Sequence, residues 1–147
     1  MSIQPEDKKI DLEDRNIGGG FKSIEEISDA LPHFLKPDFL KDKQGNRPDS
    51  PNYDPTTLYI PPCDWNTFTP CMSQYWRLKQ DNFEKIFFFK LGKFYELFAS
   101  DAILCQKILD LNWMGGAKKL HVGFPEKALD KYLATLVEQG FKVAVIE

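Results

Sequence analysis

The sequence has no long hydrophobic run, only two histidines and only three cysteines, and each of these absences excludes a class of protein. No apolar stretch approaches the ~20 residues that a membrane-spanning helix needs, so we predict no membrane protein. Cys63, Cys71 and Cys105 show no C-x-x-C spacing, which favours free thiols over a metal site. Residues 1–15 are charged and lack the apolar core of a secretion signal.

The composition instead indicates a globular protein of about one domain. Aromatic residues make up 14% of the 147 positions, and 12 of them are Phe, which is enough to build a core. Charge is uneven: residues 1–75 carry 8 Lys+Arg against 13 Asp+Glu, whereas residues 76–147 carry 11 against 9. The second half is therefore mildly basic, which alone is weak support for nucleic-acid binding.

The first half of the chain is rich in proline and turn residues. Nine of the ten prolines lie in residues 1–70, and no apolar period runs through this region. We therefore predict a disordered or linker-like tail over residues 1–50 and an extended arm over residues 51–68, anchored by "TLYI" and Trp65. "GGGFKS" superficially suggests a phosphate loop, but Phe21 replaces the glycine before the lysine and no strand precedes it.

A folded domain is predicted over residues 69–147. Thr69 as N-cap and Pro70 at the first helical position begin a helix. Two strands follow, "EKIFFFKL" and "KFYELF", separated at Gly92. A second helix begins at N-cap Ser100, and we expect its buried stripe to consist of three residues, Leu104, Ile108 and Leu109.

The remainder of this domain alternates strands with one helix. "NWMGGAKKLHVGF" predicts two short strands around a Gly115–Gly116 turn, and a helix runs from Pro125 to a stop at Gly140. A final strand, "FKVAVIE", ends the chain at Glu147, which we interpret as the end of a fragment. The order of elements predicts an α/β fold, a compact mixed β-sheet flanked by about three helices, with an irregular N-terminal arm.

The stretch "KLGKFYELFAS" carries polar residues where a buried strand should be apolar. Side chains alternate faces along a strand, so Tyr95 and Leu97 share one face while Phe94 and Glu96 share the other. An exposed Phe beside a carboxylate is unusual unless it packs on a partner. The alternative is that Phe94 packs under the N-terminal arm and that Glu96 is merely solvated.

No catalytic constellation is visible. His33 lies in the linker-like region, and His121 has no carboxylate or nucleophile beside it in the sequence. An enzyme such as a nuclease would need carboxylates or histidines converging on one strand end, and no such cluster can be picked out.

Two long segments resemble the amino-terminal mismatch-recognition domain (domain I) of the MutS family of DNA mismatch-repair proteins. They are "TPCMSQYWRLKQDNFEKIFFFKLGKFYELFASDA" and "HVGFPEKALDKYLATLVEQGFKVAVIE". The lead-in "RPDSPNYDPTTLYIP" and the lysine of "GKFYELF" are similar to the eukaryotic MutS homologue six type. The resemblance covers roughly residues 45–147.

This resemblance implies a role for each residue of the stretch. Phe94 would be an aromatic wedge that enters the minor groove and stacks on the mispaired base, and Glu96 would hydrogen-bond that base. Gly92 would let the backbone approach the duplex, and Lys93 would contact phosphate. Additional DNA contacts are implied for three residues, Leu91, Lys118 and Lys119.

The resemblance also implies properties of a longer protein. Such a protein would be a DNA-dependent ATPase, with ATP and Mg²⁺ in a domain absent from this chain, while this domain would hold no catalytic residue, metal or cofactor. Its partners would be mismatched double-stranded DNA and a second MutS homologue in a nuclear heterodimer. The alternative is a structural domain that supports a partner subunit without reading the base.

Overall fold

The structure is a computed structural model that describes residues 21, 23–114 and 119–147. Its α-helices are α1 Ile24–Asp29, α2 Pro62–Trp65, α3 Pro70–Lys79, α4 Ala99–Ile108 and α5 Leu129–Glu138. Its strands are β1 Ile86–Leu91, β2 Phe94–Phe98, β3 His121–Pro125 and β4 Val143–Ile146, and short 3-10 helices span His33–Leu35 and Glu126–Ala128. The chain divides into two compact units, one of residues 32–86 and one built mainly from residues 87–147.

The four strands form one mixed sheet in the order β3-β2-β1-β4, which confirms the predicted α/β class. Both β1–β2 and β2–β3 pair antiparallel. Phe87, Phe88 and Phe89 of β1 are all buried, as expected for a central strand covered on both faces. One predicted strand is absent from the described residues: the segment before β3 makes only an isolated bridge from Trp113 to Val122, and Gly115 and Gly116 lie outside them.

An aromatic cluster forms the core beside this sheet. The ring of Phe124 lies 5.0 Å from that of Phe88, 5.7 Å from Tyr95 and 4.8 Å from Tyr132. Full burial of a side chain such as Phe88 or Phe124 contributes about 1.5–3 kcal/mol. The inward side chains of β2 and β3 therefore fix the sheet against α5.

Local signals predict two of the helices well. The Thr69 hydroxyl accepts a hydrogen bond from the Met72 N–H at 3.2 Å, and Pro70 occupies the first turn of α3. After α5, Gly140 takes a φ of +89°, and the Phe141 N–H donates to the Leu136 carbonyl at 3.1 Å. The predicted start of α3 and the predicted glycine stop after α5 are confirmed.

Helix α4 differs from its prediction. It begins at Ala99, with Phe98 rather than Ser100 at the N-cap position. Ala102 and Cys105 are buried, whereas Leu104 and Ile108 are only partly covered; Leu109 is buried as predicted. Packing against the sheet selects the buried face of this helix, and its small Ala and Cys side chains permit a close approach.

Residues 32–50 do not form a tail in the structure. Phe34 and Leu35 are buried, and the ring of Phe34 packs edge-on against Trp76 at 5.1 Å. The predicted anchors Leu58 and Ile60 are also buried, and the Leu58 N–H donates to the Gln80 carbonyl at 2.9 Å. Hydrophobic anchors spaced irregularly between prolines build this unit, so no apolar period could reveal it.

One buried aspartate organises the turn-rich loop of this unit. The Asp42 carboxylate accepts hydrogen bonds from the backbone N–H groups of Gln44, Asn46 and Asp54 at 2.8–2.9 Å, and from the Asn46 amide at 3.2 Å. Burial alone would raise the pKa of Asp42, but these bonds outweigh it and the pKa is lowered. The loop is ordered by side-chain-to-backbone bonds rather than by apolar contacts.

Cys63, Cys71 and Cys105 form no disulfide bond within the residues that the structure describes. Among the described residues, no helix has the length and apolar character needed to cross a membrane.

Candidate nucleic-acid interface

A two-residue turn, Gly92-Lys93, joins β1 to β2, and Leu91 pairs with Phe94 across it. Gly92 takes a φ of +63°, and Lys93 does not share this positive φ. A positive φ at the first turn residue alone is the pattern of a type II′ hairpin, which favours glycine there. Gly92 is therefore explained by the turn itself, while its predicted approach to DNA stays a prediction.

The turn holds Phe94 at the exposed end of β2. Phe94 keeps 41% of its surface exposed, whereas its neighbours Tyr95 and Leu97 are buried. The predicted separation of the two faces is thus confirmed. We call the side of β2 that carries Phe94, Glu96 and Phe98 its outer face, and the side that carries Tyr95 and Leu97 its inner face.

Contacts from the end of β3 brace this turn. Pro125 pairs with Phe94, and the Glu126 N–H donates to the Lys93 carbonyl at 2.8 Å. The Glu126 carboxylate lies 3.1 Å from the Lys90 ammonium, and its hydrogen bond raises the pKa of Lys90. Phe94 therefore lies on a strand that is paired on both sides, with β1 and with β3, and not on a loop.

Glu96 is paired with a histidine. Its Oε1 lies within hydrogen-bond distance of His121 Nε2, and the two side chains are only 16% and 21% exposed. The sequence-based interpretation of His121 as lacking a carboxylate partner was wrong. So was the alternative of a merely solvated Glu96, because the antiparallel register of β2 and β3 brings together residues 25 positions apart.

The ring of His121 also stacks on Phe98, with centroids 4.9 Å apart and planes 14° from parallel. Phe98 and His121 are direct cross-strand partners, and Glu96 is opposite Gly123. The outer face therefore carries an exposed aromatic at one end and a stacked Phe–His pair at the other, with a carboxylate between them.

Gly123 permits a close approach of β3 to β2 beside this arrangement. A Cβ at this position would lie 2.9 Å from the Tyr95 carbonyl oxygen and 3.5 Å from Cγ of Glu96. The first distance is shorter than real Cβ contacts, and the atom it meets is backbone. Sequence reasoning missed Gly123 because only the strand register shows that it opposes Glu96.

The predicted basic contacts are placed in part. Lys93 and Lys119 are exposed, Leu91 is partly covered, and Lys118 lies outside the described residues. The Lys119 carbonyl accepts a hydrogen bond from the His121 N–H at 3.0 Å, so Lys119 leads directly into β3. Gly92, Lys93, Phe94 and Glu96 belong to a single hairpin.

The part of the chain that the structure describes contains no group of three His, Cys, Asp or Glu residues placed to hold a metal ion. The other histidine, His33, belongs to the 32–86 unit, where its Nε2 lies 2.8 Å from the Asp64 carboxylate.

A family model described as MutS domain I matches residues 69–147, more than half of the chain. The chain belongs to this family. The match begins at Thr69, the residue that caps α3, and spans all four strands of the sheet.

Curated relatives of this MutS domain I chain are large proteins. It is 47% identical over 114 residues to "Probable DNA mismatch repair protein Msh6" of Drosophila melanogaster, which covers 78% of this chain and 10% of the relative. It is 41% identical over 114 residues to "DNA mismatch repair protein Msh6" of Homo sapiens, covering 78% of this chain and 8% of the relative. With "DNA mismatch repair protein MSH6" of Arabidopsis thaliana it shares 40% over 149 residues, covering 95% of this chain and 11% of the relative. The chain thus spans about a tenth of the length of these relatives.

Proposed function

We propose that this chain reads mispaired bases in duplex DNA as the recognition domain of a mismatch-repair protein. The observation that carries the proposal is the outer face of β2, where an aromatic side chain 41% exposed stands beside a carboxylate on a braced hairpin. Membership of the MutS domain I family supports it.

In this proposal Phe94 acts as a wedge on the base stack. Inserting an apolar side chain costs a few kcal/mol of unstacking per base step and kinks the duplex. A mispaired step is already poorly stacked, so the cost there is smaller. Stacking on an aromatic ring returns roughly 1–3 kcal/mol whatever the base, which suits a sensor of several mispairs.

Glu96 supplies discrimination. A carboxylate near DNA is repelled by the phosphates, so it weakens binding to intact duplex. It recovers this cost where an unpaired base edge offers a hydrogen bond. Glu96 therefore improves the ratio of mismatched to matched binding more than it improves affinity.

The lysines supply affinity that does not depend on sequence. Lys93 is exposed in the hairpin turn beside Phe94, which suits contact with a phosphate. Lys119 is exposed as well, and we propose it, together with Lys118 and Leu91, as a further contact. The backbone at Gly92 has no side chain to obstruct the duplex.

We further propose that the complete protein works in the nucleus with a second MutS homologue, and that it binds ATP and Mg²⁺ outside this domain. DNA contact by a single hairpin and a mildly basic domain is weak, which favours a partner and further domains for tight binding.

The test is the substitution Phe94→Ala in the complete protein with its partner subunit. Loss of the stacked ring should lower affinity for mismatched duplex by roughly tenfold to a hundredfold and leave matched duplex little changed, so that the preference disappears. Competition between labelled mismatched and matched duplexes at fixed salt measures this ratio.

A matched control is Phe39→Ala, because Phe39 is an equally apolar side chain, 58% exposed, in the 32–86 unit. It should leave the ratio unchanged. A Phe94→Ala protein that keeps its preference would contradict the proposal and support a domain that supports its partner without reading the base.

A further inference from the structure

We propose that His121 is a positioning residue for Glu96, which holds one carboxylate oxygen and leaves the other for the mispaired base. This inference rests on the proposed function of Glu96. It assigns a role to a side chain that the sequence offered no reason to connect with the site.

The donor and the acceptor of the hydrogen bond between His121 and Glu96 can be assigned. An ionised carboxylate can only accept hydrogen bonds, so His121 Nε2 carries the proton and donates to Oε1 of Glu96. Among the described residues, Glu96 has no second hydrogen-bond partner, and its Oε2 is therefore uncommitted. One oxygen is held and one acceptor remains.

The histidine is itself fixed in place. Its ring stacks on Phe98, its backbone N–H donates to the Lys119 carbonyl at 3.0 Å, and its carbonyl accepts from the Met114 N–H at 2.7 Å. A donor held by a ring contact and two backbone bonds has little freedom of its own. It can therefore restrict the side chain that it binds.

Gly123 lies on the same face of β3 as His121 and directly opposite Glu96. A Cβ there would lie 3.5 Å from Cγ of Glu96, an ordinary van der Waals distance, but only 2.9 Å from the Tyr95 carbonyl oxygen. The glycine therefore permits the close approach of β2 and β3 beside the Glu96–His121 pair.

Holding Glu96 in advance has a consequence for recognition. A free glutamate side chain loses rotamer freedom when it bonds a base, and this loss subtracts from the affinity gained. A glutamate already restricted by His121 avoids most of that loss. Freezing one such side chain corresponds to roughly a two- to tenfold change in binding, which should appear in the mismatched-to-matched ratio.

The experiment separates the hydrogen-bond donor of His121 from its flat ring. In the complete protein with its partner subunit, His121→Phe keeps a ring against Phe98 but removes the donor. His121→Gln keeps an N–H donor but removes the ring, and His121→Leu removes both.

We expect the ratio of mismatched to matched binding to follow the donor. His121→Phe and His121→Leu should lower it by roughly two- to tenfold, and His121→Gln should keep more of it than His121→Leu. A ratio that instead followed the ring, or the thermal midpoint of each variant, would show a structural role and overturn the inference. If His121→Phe folds poorly, the binding ratios of His121→Gln and His121→Leu still show whether the donor matters.

A double-mutant cycle with Glu96→Ala completes the test. If His121 acts through Glu96, His121→Leu should have no further effect on the ratio in the Glu96→Ala background. A persistent effect there would mean that His121 acts on DNA directly, against the inference. If Glu96→Ala alone leaves the ratio unchanged, the proposed role of Glu96 fails, and the positioning role fails with it. If Glu96→Ala lowers the ratio but the His121 variants leave it unchanged, the positioning role of His121 fails and the role of Glu96 stands.

Discussion

The inner and outer faces of β2 belong to one short strand but have different surroundings. On the inner face, Tyr95 and Leu97 are buried, and the ring of Tyr95 lies 5.7 Å from that of Phe124. On the outer face, Phe94 remains exposed and Glu96 is held by a histidine from the next strand.

The difference shows that an apolar side chain on a strand can have two explanations. Leu97 is apolar because the domain's own core covers it. Phe94 is apolar although 41% of its surface stays exposed, and the turn that carries it is braced by Pro125 and Glu126. A partly exposed aromatic side chain on a braced turn is suited to a partner that completes its packing.

Truncation of the inner face gives the largest expected effect on stability. Leu97→Ala should lower the free energy of unfolding by about 2–5 kcal/mol, because it leaves a cavity in a close-packed core. Phe94→Ala should cost less than about 1 kcal/mol, since the ring is partly in water already. Chemical denaturation of the chain measures both, and equal losses would erase the distinction between the faces.

Gly123→Ala should disturb β3 beside the Glu96–His121 pair. The new methyl group meets the Tyr95 carbonyl, so the strands must shift, and overpacking of this kind costs about 1–3 kcal/mol. Thermal unfolding measures the loss of stability. Gly140→Ala is a control for glycine replacement in general, because nothing lies within 4 Å of its added Cβ, although its positive φ carries its own strain. A stable Gly123→Ala chain would contradict the close approach.

Glu96→Ala should change discrimination, with a modest loss of folding stability from the His121 donor that it leaves unpaired. Loss of the proposed hydrogen bond to the base should lower mismatch affinity, and loss of the charge should raise affinity for matched duplex. The ratio should fall about tenfold, the equivalent of ~1.4 kcal/mol. Competition at fixed salt checks this, and the effect on matched duplex separates it from Phe94→Ala. Unchanged discrimination would refute the role of the carboxylate.

Lys93→Ala is expected to have the smallest effect. Removal of one phosphate contact should reduce the slope of log K against log salt by about 0.9 and weaken mismatched and matched binding alike. A titration over a range of salt concentrations measures the slope. Exposed Lys127, which precedes α5, offers a control lysine. A selective loss of mismatch binding would show that Lys93 takes part in reading the base.

The sequence predicted the structural features that depend on residues close together along the chain. The alternation along β2 and the Thr69–Pro70 helix start follow from local geometry, and both are found in the structure. The pairing of Glu96 with His121 could not be predicted, because it requires the register of two strands whose connection is not local. The stacking of Phe98 on His121 could not be predicted either, because the two rings lie on different strands and only the strand register brings them together.

Order in residues 32–50 escaped prediction for a different reason. The segment is held by the buried Phe34 and by the hydrogen bonds to Asp42, and neither produces a repeating pattern in the sequence. The stripe of α4 was predicted from its large apolar residues; Leu109 is buried as predicted, but Leu104 and Ile108 are only partly covered and the small Ala102 and Cys105 are buried instead. Tertiary packing decided both cases.

We propose that Phe94, on the outer face of β2, touches the mispaired base. The most direct measurement is photocross-linking of the complete protein and its partner to a duplex with 5-iodouracil at the mispaired position, followed by mass spectrometry of the linked peptide. We expect a cross-link at Phe94 that is lost when the same base is correctly paired. A cross-link confined to another side chain, or one of equal yield on the paired duplex, would contradict it.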